Sequence, residues 1–219
     1  LESGKIVLEE NLLEFYTEWE KEHPFEEGFG WGTEPWSQLE AILPDELYAK
    51  SAAATDTAIV VIARTAGEDR DNVAQAGAYM LSAEEEILLE KVRANFDKVV
   101  VVLNVGNIID FAFVDKYEPD AVLLAWQGGM IGGRGTADLL LGNANPSGKL
   151  SDTVAYSLSD YPSDRNFSDG PEDIYQEDVY VGYRYFSTFA PECVRYAFGY
   201  GLSYTEFAIC ITSVKEEKD

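Results

Sequence analysis

The stretch that decides the fold is Thr57-Ala58-Ile59-Val60-Val61-Ile62-Ala63-Arg64-Thr65-Ala66-Gly67-Glu68-Asp69-Arg70-Asp71. Its first seven residues are apolar at nearly every position and rich in β-branched side chains, which predicts a strand buried on both faces. The next eight carry three acids and two arginines. In open α/β sheets ligands gather beyond the carboxyl ends of the strands, so a charged loop in that place is a candidate site. Charged loops also follow strands without binding anything, and the motif alone leaves both readings open.

The same alternation of buried strand and helix continues downstream. Ser82-Ala83-Glu84-Glu85 has the spacing of a capping box, so a helix should start there, with Leu88, Leu89, Val92 and Phe96 forming one apolar stripe and an end near Asp97. Lys98 to Asn104 reads as a second strand, Ile108 to Tyr117 as a short helix, Asp120 to Trp126 as a third strand, and Thr136 to Leu141 as part of a helix stopped by Gly142. Apolar strands spaced by helices indicate a parallel sheet covered on both faces, with right-handed crossovers. The expected fold is α/β, a three-layer sandwich whose mostly parallel, doubly wound sheet has antiparallel additions at its edge. Those additions are expected past Asn145-Pro146-Ser147-Gly148, where the chain turns Tyr- and Pro-rich and alternates over Tyr204 to Val214.

Upstream, Leu8 to Lys21 has helical spacing, Pro24 to Trp36 is a Gly- and aromatic-rich loop, and Glu46 to Ala54 is a helix leading into the first strand. Residues 1–214 read as a single domain and 215–219 as a charged tail or the start of a linker to a further domain. With 46% hydrophobic and 13% aromatic residues in 219, the chain can build a real core. Forty acids against sixteen bases give a net charge of −24, which opposes nucleic acid and anionic membrane surfaces. No apolar run approaches the roughly 20 residues of a membrane span and no leader pattern opens the chain, so the reading is cytoplasmic. Cys193 and Cys210 lack metal or disulfide spacing and are expected as small buried hydrophobes, and one histidine, His23, cannot build a His-centred site. Any catalysis falls to carboxylates, lysine or tyrosine.

Seven motifs, in this order, resemble glycoside hydrolase family 3: Arg64-Thr65-Ala66-Gly67-Glu68; Tyr79-Met80-Leu81-Ser82; Val102-Leu103-Asn104-Val105-Gly106-Asn107; Ala125-Trp126-Gln127-Gly128-Gly129; Asn145-Pro146-Ser147-Gly148-Lys149-Leu150; Tyr180-Val181-Gly182-Tyr183-Arg184-Tyr185-Phe186; and Phe198 to Phe207. The likeness covers roughly residues 50–208 and is to the family's α/β-sandwich domain, not to its TIM-like barrel. It implies a β-glucosidase acting, without metal or cofactor, on a β-glucoside or oligosaccharide with retention, which needs two carboxyl groups about 5 Å apart. In the family the nucleophile belongs to the barrel, a fold of about 250 residues that this chain has no room for. Glu68 then occupies the place of the acid/base. The resemblance also implies a first strand upstream of residue 1, so a chain cut at its start is expected.

Among the candidates, Glu68 is the catalytic acid and Asp69 the competitor, shorter and flanked by arginine. Gly67 allows a bend, while Arg64 or Arg70 could pair with Asp69 or Asp71 and leave Glu68 free. Arg64 otherwise orients the loop, binds substrate or forms a structural salt bridge. Trp126 and Gln127 could face sugar, the ring stacking on C–H groups and the amide bonding hydroxyls, or Trp126 could be core. Gly128-Gly129 and Gly132-Gly133 before a helix suggest a phosphate loop, but the first strand–helix junction lacks the dinucleotide-binding glycines and no Walker motif occurs. The competing class is a non-catalytic module that binds carbohydrate or protein.

Overall fold

Thr57–Ala63 forms β1 and pairs in parallel with β2, Lys98–Asn104, with Val60 opposite Val101 and Ile62 opposite Leu103. On the far side of β2 lies β3, Ala121–Leu124, also parallel, so the sheet runs β1-β2-β3. The computed structural model describes residues 9–66, 71–167, 171–172 and 174–216. Helices α1 (Glu10–Glu22) and α2 (Asp45–Ala54) precede these strands, α3 (Ala83–Asn95) and α4 (Ala112–Tyr117) connect them, and α5 (Gly132–Leu140) follows. The helix α3 lies against β1 and β2 and also touches α2 and α4, while α1 packs on α2.

The core follows from period-two burial. Val60 and Ile62 of β1, Val99, Val101 and Leu103 of β2, and Val122 and Leu124 of β3 share one face and meet Leu89, Val92 and Phe96 of α3. The α3 stripe expected from sequence is therefore the one that docks. Its start is the capping box: Ser82 Oγ accepts from the Glu85 amide at 3.2 Å, and Glu85 Oε2 accepts from the Ser82 amide at 2.8 Å. The opposite sheet face is covered unequally. Val102 is buried there, but Ile59 and Val61 of the outer strand are 52% and 56% exposed, and α5 buries no residue. An all-apolar strand thus marks what a face tolerates, not how fully this chain covers it.

A second layer of structure supplies the antiparallel pair, though not where the alternation placed it. Val154–Ala155 (β4) pairs with Val194–Tyr196 (β5), and helices α6 (Pro162–Asn166) and α7 (Tyr183–Phe189) flank it around buried Phe186. Arg195 of β5 makes two 2.8 Å bonds to the Asp115 carboxylate, tying this unit to α4. Residues 204–214, expected as a strand, join no sheet among the described residues, and Phe207, Ile209 and Ile211 lie in the open. Alternation prepares a strand, but a strand also needs an edge to pair with. The cysteine reading is corrected likewise, since Cys193 is only half-buried and Cys210 is exposed. No helix among the described residues is long and apolar enough to cross a membrane.

Candidate active site

The three parallel strands release their chains at one edge, and the residues that follow them meet there. After β1 comes Arg64, 5% exposed. Its guanidinium makes a two-pronged pair with Glu85, Nη1 to Oε1 at 2.6 Å and Nη2 to Oε2 at 2.7 Å. The remaining donors reach backbone carbonyls: Nε to Ala78 at 2.8 Å, Nη1 to Ala63 at 2.8 Å and Nη2 to Met80 at 3.2 Å. The expected pairing of Arg64 with Asp69 or Asp71 is thereby replaced by one with the first turn of α3. The helix that follows β1 starts near that strand's carboxyl end, which brings Glu85 within reach of Arg64. Glu68 and Asp69 lie outside the described residues.

The other two strand exits buttress the same point. The Gln127 amide Nε2 donates to the Arg64 carbonyl at 3.2 Å, and the Thr65 amide donates to the Trp36 carbonyl at 2.8 Å. Gly106, just past β2, sits so close that a side chain there would overlap the Ala66 methyl and stand 2.9 Å from Gln127 Oε1. This is a close approach only glycine permits. Trp126 is held at φ 54°, a left-handed conformation unusual for a bulky residue. Its ring packs against the main core and also lines a cleft, so the core and ligand-facing readings meet in one side chain. Gln127 is exposed but spends its amide on Arg64.

The cleft encloses about 1010 Å³ between the strands' carboxyl ends and the 151–167 segment. Asp71, Asn72, Tyr79, Trp126, Asp152 and Tyr161 are among its walls. Asn72 is pinned by a 2.7 Å bond from Nδ2 to the Ile108 carbonyl. The Tyr161 hydroxyl accepts from the Ala155 amide and donates to the Thr153 carbonyl, both at 2.9 Å, and burial pushes it up to about 12. Burial raises Tyr79 as well, so both phenols stay neutral at ordinary pH. Tyr79 entered the sequence reading only as part of a family motif, and Asp152 and Tyr161 not at all, because nothing in their local spacing announces a shared wall. Carboxylates, amides and aromatic rings around an open cleft suit a neutral polyhydroxylated ligand.

The sequence pattern of the glycosyl hydrolase family 3 C-terminal domain matches residues 33–204, which include every wall residue of the cleft. The chain belongs to glycosyl hydrolase family 3. The family 3 domain is 56% identical over 209 residues to a β-glucosidase of Ruminococcus albus, covering 95% of this chain and 22% of that protein. It is 39% identical to β-glucosidase A of Butyrivibrio fibrisolvens, over 94% of this chain and 28% of that one. In structure it resembles a β-glucosidase from Paenibacillus barengoltzii with a TM-score of 0.87 at 49% identity, covering 91% of this chain and 22% of that one. The family 3 domain thus spans between a fifth and a third of the length of these relatives.

Proposed function

We propose that this family 3 domain supplies the proton donor, Glu68, of a retaining exo-β-glucosidase that removes terminal β-linked glucose, with the nucleophile carried by a barrel domain. The observation that carries the reading is the cleft at the carboxyl ends of the parallel strands: Ala66, just before residues 67–70 in the chain, stands at the Arg64 cluster, and Asp71, just after them, is in the cleft wall. The names of the similar proteins, and a Trp126 backbone held in a costly conformation of the kind that clusters at functional sites, support it.

The chemistry then divides between two carboxyl groups. The barrel's nucleophile attacks the anomeric carbon while Glu68 gives its proton to the glycosidic oxygen, so the aglycone leaves as a neutral alcohol. Glu68, now a carboxylate, takes a proton from water as that water displaces the enzyme carboxylate, and the second inversion restores the original configuration. Arg64 orients the loop and Trp126 offers an apolar ring face for the sugar's C–H surface, with Asp69 beside the acid rather than in its role.

Hydrolysis of phenyl β-glucoside by the protein that joins this domain to its barrel tests the assignment. Glu68→Ala should lower kcat/KM by about 10²- to 10⁴-fold, the usual worth of general acid catalysis. An unchanged rate would refute Glu68 as the acid. Absence of hydrolysis of any aryl glycoside by the unaltered protein would favour the binding-module reading instead.

A further inference from the structure

We infer that the buried Arg64–Glu85 pair, with Gln127 and Gly106, is a positioning device that fixes the backbone leading to the acid/base. The inference rests on the assignment of Glu68 made above. A buried ion pair is poor evidence of stabilisation, since a well-packed apolar pair of the same volume often stabilises as much. What this pair does supply is fixed geometry. One guanidinium joins β1 at Ala63, the turn at Ala78 and Met80, and the first turn of α3 at Glu85. Glu85 cannot drift, because Oε2 also accepts from the Ser82 amide as half of the capping box.

Each of the three residues that lead into the loop is then held by a different part of the fold. Gln127 grips the Arg64 carbonyl, the Trp36 carbonyl takes the Thr65 amide, and Gly106 is the floor on which Ala66 rests. On the other side of the loop, Asn72 is tied to Ile108. Residue 68 is two positions beyond Ala66 in the chain, and misplacing a reacting group by about 1 Å can cost about 10²-fold. None of these side chains needs to touch substrate. They act through the position of Glu68.

The dependence of rate on the leaving group separates positioning from stability. Dinitrophenolate departs without a proton, whereas phenol and sugar alcohols need one, so a misplaced acid slows only the second kind. In the protein that joins this domain to its barrel, Glu85→Gln keeps a capping side chain on α3 but removes the charge that holds Arg64. Gly106→Ala adds one methyl against Ala66 with no change of charge. Each should lower kcat/KM for phenyl β-glucoside about tenfold or more while changing it for 2,4-dinitrophenyl β-glucoside less than about twofold. Arg64→Lys, which keeps the charge and loses the two-pronged geometry, should show the same split.

Equal losses on both substrates, or no loss on either, would overturn the inference and leave the pair a support of the fold. If Glu85→Gln does not give folded protein, Gly106→Ala decides, since it leaves the strands and the ion pair intact. Failure of the Glu68 assignment would look different: Glu68→Ala itself would keep wild-type rates on both substrates, and both ideas would fall together.

Discussion

Glu85 uses one carboxylate for two jobs, closing the cap of α3 and neutralising a buried arginine. The first was legible in Ser82-Ala83-Glu84-Glu85, because a cap is a local pattern. The second was not, since the partner stands 21 residues away and meets it only after a strand–helix crossover is folded. The acids adjacent to Arg64 in sequence were the natural guess, and sequence adjacency was the wrong measure of distance. A second residue-scale case is Glu40, which accepts from the Tyr16 hydroxyl at 2.9 Å. Burial raises its carboxyl from the usual 4.5, only partly opposed by bonds from Tyr16 and the Ala41 amide. The folded chain therefore holds this proton more tightly than the unfolded one, and stability falls as pH rises from about 4.5 through the raised value, at no more than about 1.4 kcal/mol per pH unit. Denaturant titrations across pH 4 to 7 should show a shallower decline for Glu40→Gln than for wild type; parallel curves would remove Glu40 as the cause.

Elements were read with most success where a pattern sufficed. The bounds of β1 and β2 and the stripe of α3 followed from apolar runs and a cap, and all three meet in the main core. What failed was the placement of the antiparallel strand, because alternation over 204–214 says nothing about which backbone is free to pair with it. The short β4 and β5, two and three residues long, carry too little pattern to be seen beforehand. Position within the sheet now ranks substitutions. Leu103→Ala, at a fully buried position of β2, should cost about 2–5 kcal/mol in chemical denaturation, whereas Ile59→Ala on the half-open face of β1 should cost clearly less. Ser82→Ala, which deletes the cap hydroxyl of α3, should cost about 1 kcal/mol. Equal costs for Leu103→Ala and Ile59→Ala would show that the outer face of β1 is as well covered as the inner.

At the scale of the molecule, the cleft at the strands' carboxyl ends is the proposed half of a site that a barrel domain would complete. The motifs showed the family and the α/β sandwich, and they located the candidate acid, but the cleft wall was invisible until Asp71, Trp126, Asp152 and Tyr161 were brought together from four separate segments. The account gives this chain a proton donor and no nucleophile, so the purified 219-residue chain should hydrolyse aryl β-glucosides negligibly. Steady turnover by it would place a nucleophile within these residues. The most direct measurement of the central claim is the product formed by Glu68→Ala, in the protein that joins this domain to its barrel, from 2,4-dinitrophenyl β-glucoside with and without azide. Azide needs no general base to attack a glycosyl-enzyme, so the account predicts that it restores turnover and yields β-glucosyl azide with retained configuration. Glucose as the sole product, released at the wild-type rate and indifferent to azide, would contradict it.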